Sequence, residues 1–151
     1  MIYLGADHRG FELKEKIKMA MEAEGLELQD VGAFGYEKTD DYVDFAKAAA
    51  EKVVENPKKN KAILICGSGH GMDMMANKYK GVRSALAFNT EVAIQSREHE
   101  DANVLVLASD WLEDEEAIEI LKVWLRTEFT GEERHVRRLK KIEEIEKQNF
   151  K

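Results

Sequence analysis

The sequence predicts an α/β protein, a Rossmann-like three-layer α/β/α sandwich with a five-stranded parallel sheet and an extra C-terminal helix. Short apolar runs alternate with longer segments whose apolar residues recur at helical spacing. This alternation indicates right-handed strand–helix–strand units, with helices on both faces of the sheet. The 151 residues contain no internal repeat and no low-complexity linker, so we expect one domain over residues 1–151.

In the first half of the chain, glycine and proline separate the elements. Gly25 is suited to the left-handed position that follows a helix. Pro57 ends the second helix because proline cannot continue one. The predicted elements, in order, are a strand at 2–6, a helix at 11–21, a strand at 26–31 and a helix at 41–55.

The second half continues the same alternation. Gly81 ends a short helix, and Asn89 or Thr90 can cap the next one. The predicted elements are a strand at 62–66, a helix at 72–78, a strand at 82–88, a helix at 90–97, a strand at 104–108 and a helix at 114–128.

The last predicted helix, at about 132–147, lies beyond the alternation. Ile142, Ile145 and Phe150 give it a modest apolar stripe. Two interpretations stay open: the helix packs on a second subunit, or it is a solvated end helix.

Composition excludes several classes of protein. The formal net charge of −7 disfavours a general attraction to nucleic acid or to acidic membranes. No apolar run approaches membrane-spanning length, and the N-terminus reaches a charge at Asp7, so no secretory signal is expected. A single cysteine cannot form an intramolecular disulfide, which suits a reducing cytoplasm.

The most informative segment is an apolar run that ends in this cysteine, Cys66, and continues as Gly67, Ser68, Gly69, His70 and Gly71. Open parallel sheets bind ligands at the carboxyl ends of their strands. The glycines allow a sharp turn whose N–H groups can face an anion. We expect the loop and the helix that follows to lower the pKa of Cys66.

Other interpretations of this segment also stay open. A lone cysteine at the end of a buried strand is often a small hydrophobic residue, and the glycines can form a plain tight turn. The loop is neither the dinucleotide fingerprint nor a P-loop, because it lacks G-x-x-G spacing and a Gly-Lys-Ser/Thr ending.

Several polar residues are candidates for the same site. Asp7 and His8 follow the first strand and Tyr42 follows the second, so they belong to the same sheet edge as Cys66. Asp7 can also be a helix cap. His99 alone would be typical of a solvated helix end. Two arginines four residues apart on the last helix, Arg134 and Arg138, share a face and could bind a phosphate.

A metal site is disfavoured. His70 and Asp73 are three residues apart at a helix start, but no compact ligand motif links them to His8 or His99, and the chain has no CxxC pair. We expect neither a metal nor a cofactor.

Several collinear motifs resemble ribose-5-phosphate isomerase type B and the related galactose-6-phosphate isomerase subunits. The resemblance covers nearly the whole chain. It is carried by GADHRGFELK from Gly5, DYVDFA from Asp41, ICGSGHGM from Ile65, ANK from Ala76, GVR from Gly81, REHEDANVL from Arg97 and EERHVRR from Glu132.

The resemblance implies a metal-independent aldose–ketose isomerase of the pentose phosphate pathway, acting through an enediol(ate). By this likeness Cys66 is the base, Ser68 assists proton movement at the sugar oxygens, and Asp7 and His99 open the ring. The backbone amides of residues 67–71 stabilise the oxyanion, and Tyr42 lines the sugar pocket. The phosphate is held by His8, Arg134 and Arg138. These groups would meet across a homodimer interface, with pairing into tetramers left open.

The chain departs from the family pattern at several positions. Arg9 takes the place of a small residue, and Glu100 that of an asparagine that contacts the sugar hydroxyls; His70, Asp73 and the segment 87–89 also differ. Glu100 and His70 remain candidate substrate-binding residues. The departures leave another pentose or hexose 6-phosphate, or a non-catalytic sugar-phosphate-binding subunit, as alternative functions.

Overall fold

The computed structural model describes residues 1–150 as five strands and six helices, and the predicted fold class is confirmed. In chain order the elements are β1 (Ile2–Ala6), α1 (Phe11–Ala23), β2 (Gln29–Gly32), α2 (Tyr42–Glu55), β3 (Lys61–Cys66), α3 (His70–Ala76), β4 (Ser84–Leu86), α4 (Thr90–Glu100), β5 (Val104–Ala108), α5 (Asp114–Arg126) and α6 (Glu133–Asn149).

All five strands are parallel, in the order β2-β1-β3-β5-β4. From β1 the chain adds β2 on one side, and it then adds β3, β4 and β5 on the other side, with β4 at the edge, so the topology reverses between β1 and β3. In open α/β sheets, ligands bind outside the carboxyl ends of the strands at such a reversal. Ala6 of β1 is in register with Ile65 of β3, which places Asp7 and Cys66 side by side at this point.

The two faces of the sheet carry separate cores because successive strand side chains point to opposite faces. On one face, Ile63 and Ile65 pack with residues of α1, α4 and α5. On the other face, Ala62, Leu64 and Cys66 pack with residues of α2 and α3. The Cys66 side chain therefore lies beneath the helix that follows it.

Element ends differ from prediction where turns compete with regular structure. The predicted strand at 26–31 begins only at Gln29, because the Leu26 N–H bonds to the Met21 carbonyl (2.9 Å) and completes the end of α1. The helix predicted from residue 72 begins at His70, so the glycine loop runs directly into its first turn. Two terminal signals are confirmed: Gly25 has a φ of 77°, and the Asn89 side chain accepts from Val92 N at 2.8 Å.

The last helix, α6, is largely exposed. Within residues 1–150, His135 is its only buried residue, whereas Ile142 and Ile145 of the predicted stripe are exposed. Its C-terminal half is linked to the body by Glu146, which accepts from Gly81 N at 3.2 Å. Packing on a second subunit stays a prediction. None of the helices described is both long and apolar enough to cross a membrane.

A buried lysine fixes the segment that follows β2. Lys14 of α1 has no exposed side-chain surface; its ammonium contacts both Asp30 oxygens at 2.8 Å and donates to the Ala33 carbonyl. Burial alone would raise the pKa of Asp30, but hydrogen bonds from Lys14 and Lys18 outweigh it and hold the pKa below 3.8. Lys14 thus joins α1 to β2 and to the start of the loop leading to α2.

We predict that Lys14→Met lowers the free energy of unfolding by about 3 kcal/mol at neutral pH, because Asp30 is left with less compensation in a buried setting. The pair's contribution is present above pH 3.8, the ordinary Asp value, and is lost as pH falls through the depressed value. Urea denaturation measures this. The matched control is Lys16→Met, whose exposed pair with Asp114 should contribute little; equal losses in both variants would contradict the prediction.

Candidate active site

Asp7 lies at the carboxyl end of β1 and is 4% exposed. Its Oδ1 accepts hydrogen bonds from the backbone N–H groups of Arg9 (3.0 Å) and Gly10 (3.1 Å), so it closes the turn before α1. The helix cap itself is Gly10. Burial raises the pKa of Asp7, with these hydrogen bonds opposing it. A carboxyl group in this state is suited to exchanging a proton with a bound ligand.

His8 is held by Asp40, which the sequence analysis did not single out. Asp40 Oδ1 accepts from the His8 backbone N–H (2.9 Å) and lies 2.7 Å from the ring Nδ1. Nδ1 is therefore occupied, and Nε2 is the ring nitrogen left for a ligand. The two residues are 32 apart in the chain, in a loop without periodicity, so no local signal could have paired them.

Cys66 is a buried free thiol at the end of β3. The backbone N–H groups of Met72 and Gly69 favour the ionised form of this thiol and act to lower its pKa. Burial nevertheless dominates and raises the pKa of Cys66 above 9.0, with the carboxylate of Asp7 acting in the same direction. The expectation of a lowered pKa was wrong, because it weighed the helix terminus without the loss of solvation.

The glycine loop closes around this thiol. Gly69 has a left-handed φ of 80°, which turns the chain from β3 into α3. The Tyr42 ring packs on the backbone at Gly71, where a Cβ would lie 2.5 Å from Tyr42 Cζ. Ser68 is partly exposed and accepts from the His70 N–H at 3.4 Å, while the His70 side chain is exposed.

His99, Arg134 and Arg138 lie at the opposite, amino edge of the sheet. Helix α4 leaves the carboxyl edge after β4, and its 11 residues run about 16 Å back toward the amino edge. His99, near its end, stacks on His135 with ring centroids 4.4 Å apart. Arg134 and Arg138 are exposed on the first two turns of α6, and Glu100 is exposed at the end of α4.

The candidate residues therefore form two groups. The carboxyl-edge group comprises Asp7, His8, Tyr42, Cys66 and residues 67–71. The amino-edge group comprises His99, Glu100, Arg134 and Arg138, with His135 as a member to which the sequence analysis gave no role. One chain does not bring the two groups together.

One set of potential metal ligands occurs among residues 1–150: Asp7, His8 and Asp40, with ligand atoms within 4.8 Å of one another. The Oδ1 atoms of both aspartates already accept hydrogen bonds: that of Asp7 from the backbone N–H groups of Arg9 and Gly10, and that of Asp40 from the backbone N–H of His8. Asp73, of the alternative His70–Asp73 site, is partly buried and accepts from the Ser84 hydroxyl at 2.7 Å. Its pKa is raised by burial.

The model of the Ribose/Galactose Isomerase family matches residues 2–142. The chain belongs to this family. Ribose-5-phosphate isomerase B of Mycobacterium tuberculosis is 37% identical over 146 residues, covering 97% of this chain and 90% of the relative.

Solved structures of family members agree throughout the fold. The structure of ribose-5-phosphate isomerase B from Mycoplasma genitalium with bound ribulose-5-phosphate has a TM-score of 0.94 at 40% identity, covering 98% of this chain and 97% of that one. That from Clostridium thermocellum has a TM-score of 0.92 at 40% identity, covering 97% of each chain.

We predict that the free protein's Cys66 thiol titrates above pH 9.0, because burial disfavours the thiolate. Since the chain has one cysteine, thiolate absorbance in the ultraviolet reports on this group alone once a Cys66→Ser blank is subtracted. A midpoint below the ordinary value would show that hydrogen bonds from the loop outweigh burial.

Proposed function

We propose that the protein interconverts ribose 5-phosphate and ribulose 5-phosphate. The observation that carries this is a buried thiol next to a buried carboxyl group, under the amides of a glycine loop, at the topological reversal of the sheet. The family of the chain, and its likeness to the Mycoplasma genitalium isomerase with bound ribulose-5-phosphate, support the same reaction.

The reaction needs a base at carbon and charge stabilisation at oxygen. In the open-chain aldose, the Cys66 thiolate removes the C2 proton, and the C–H electron pair forms the C1–C2 double bond as the C1 carbonyl becomes an oxyanion. A proton moves from O2 to O1, assisted by Ser68, and the thiol returns its proton to C1. The products are a C2 ketone and a regenerated thiolate.

The loop amides lower the barrier at the oxyanion. Backbone N–H groups of Gly67 and Gly71 are held by the turn and by the start of α3, so they need little reorganisation when charge develops, while the Gly69 N–H acts on Cys66. Removing a single oxyanion donor typically costs about 10²- to 10³-fold in rate. Tyr42, packed on Gly71, lines the sugar pocket.

Burial of Cys66 suits it to remove a proton from a carbon atom of the substrate. A thiol whose pKa is raised is a stronger base once ionised, although less of it is ionised at neutral pH. The reaction draws on this strength, because a proton on carbon beside a carbonyl is weakly acidic. The rate should therefore rise with pH as the thiolate fraction increases.

Completion of the site requires a second chain. We infer a homodimer in which His99 of the partner subunit meets Asp7 for ring opening, while the partner's Arg134 and Arg138 join His8 at the phosphate. The separation of the two residue groups within one chain supports this arrangement. Glu100 and His70 would then border the sugar, and no metal or other cofactor takes part.

We also propose that the protein works in the cytoplasm. A single reduced thiol as base suits a cytoplasmic enzyme.

We predict that Cys66→Ala lowers kcat by about 10²- to 10⁴-fold, the usual contribution of a positioned base. The assay is ketose formation from ribose 5-phosphate. In the wild type, C2-deuterated substrate should react more slowly, because the C2–H bond breaks in the step that Cys66 performs.

The control is Ser96→Ala, a buried change of similar size on α4 whose hydroxyl donates to the Ala93 carbonyl, within its own helix. It should leave the rate unchanged. Full activity in a folded Cys66→Ala protein would remove the thiol from the mechanism.

We predict that two impaired variants, Cys66→Ala and Arg134→Ala, complement each other when co-expressed. In a mixed dimer, the Cys66 of one chain and the Arg134 of the other form one intact site. Random pairing of equal amounts should then restore about a quarter of wild-type activity, since an isologous dimer has two equivalent sites.

Each variant expressed alone is the control, and each should remain impaired. A mixed preparation no more active than the average of the two would place both residues in the same chain's site.

A further inference from the structure

Arg9 places a guanidinium at the glycine loop. His8 and Arg9 are consecutive, but His8 turns toward Asp40 and the β2 edge. The Arg9 side chain crosses the end of β3 and lies on Gly67, where a Cβ would be 2.7 Å from Arg9 Nη1. Only a residue without a side chain allows this contact.

Two residues after β5 hold Arg9 in this position. The carboxylate of Asp110 pairs with the guanidinium, and the Asp110 N–H donates to the Gly67 carbonyl at 3.0 Å. The hydroxyl of Ser109 contacts the Arg9 carbonyl at 3.0 Å and the Cys66 carbonyl at 3.2 Å. Arg9 is thus fixed at both its backbone and its charged end, against the segment that carries the thiol.

Stability alone does not account for this pair. Its arginine side chain is 53% exposed and its aspartate 35%, and exposed ion pairs contribute little to folding. A guanidinium has five N–H donors, of which one carboxylate can accept two, so donors remain for a ligand. Their planar arrangement matches the oxygens of a phosphate group.

We infer that Arg9, in the same chain as Cys66, binds the phosphate group of the substrate. We further infer that Asp110 is a positioning residue that holds Arg9 in place. This inference rests on the proposed function. The phosphate is favoured over the reacting carbons because Tyr42, which lines the proposed sugar pocket, packs on Gly71, whereas Arg9 lies at Gly67, the other end of the loop. In the carboxyl-edge group, His8 alone would face a dianion.

The test compares Arg9→Ala, Arg9→Lys and the matched control Arg126→Ala, whose exposed side chain lies at the end of α5 and pairs with Glu119. Losing a charged hydrogen-bonding group should lower kcat/KM for ribose 5-phosphate by about 10- to 100-fold, mainly through KM. The inhibition constant of inorganic phosphate should rise by a similar factor. Arg9→Lys should recover part of both, and Arg126→Ala should match the wild type.

Asp110→Ala tests the positioning role. It should raise KM less than Arg9→Ala does, and the double variant should be no worse than Arg9→Ala alone. Additive effects would show that Asp110 acts independently of Arg9.

Unchanged inhibition by inorganic phosphate in Arg9→Ala would overturn the inference, even if kcat fell. If the wild type does not isomerise ribose 5-phosphate, the proposed function fails. Calorimetric titration of wild type and Arg9→Ala with inorganic phosphate then decides the role of Arg9 separately, with equal affinities counting against it.

Discussion

The parallel pairing of β1 with β3 is the constraint on which the rest of the site depends. Its register sets Ala6 opposite Ile65, so that the next residues, Asp7 and Cys66, meet where the topology of the sheet reverses. A slip of one residue would turn the Cys66 side chain away from α3 and toward the other core. The strands are buried on both faces, which makes such a slip costly.

Burial gives the site its chemical character and also opposes ionisation. Solvation is lost at both Asp7 and Cys66, and the pKa of each is raised. Backbone N–H groups offset part of this cost, from Gly10 at the carboxylate and from Met72 at the thiol. The result is two groups that hold protons more firmly than they would in water.

The sheet, its helices and the carboxyl-edge site could be predicted because each rests on a local pattern. Apolar runs and glycines mark the strands, and parallel topology then brings their carboxyl ends together. The details that failed depend on three-dimensional surroundings. The start of β2 was displaced by the hydrogen bonds that end α1, and the direction of the Cys66 pKa shift depends on how completely α3 covers the thiol. The Asp40–His8 pair joins two loops that no periodicity relates.

The division of candidate residues between two edges also constrains how chains assemble. The carboxyl edge has the Cys66 thiol and the glycine loop, while the amino edge has Arg134, Arg138 and the stacked pair His99–His135. If the edge of one chain faces the opposite edge of another, a two-fold axis completes both sites at once and leaves no free half. A head-to-tail arrangement would complete one site per contact and leave unmatched edges at its ends. The proposed shared site therefore favours a closed dimer, in which assembly and activity are linked.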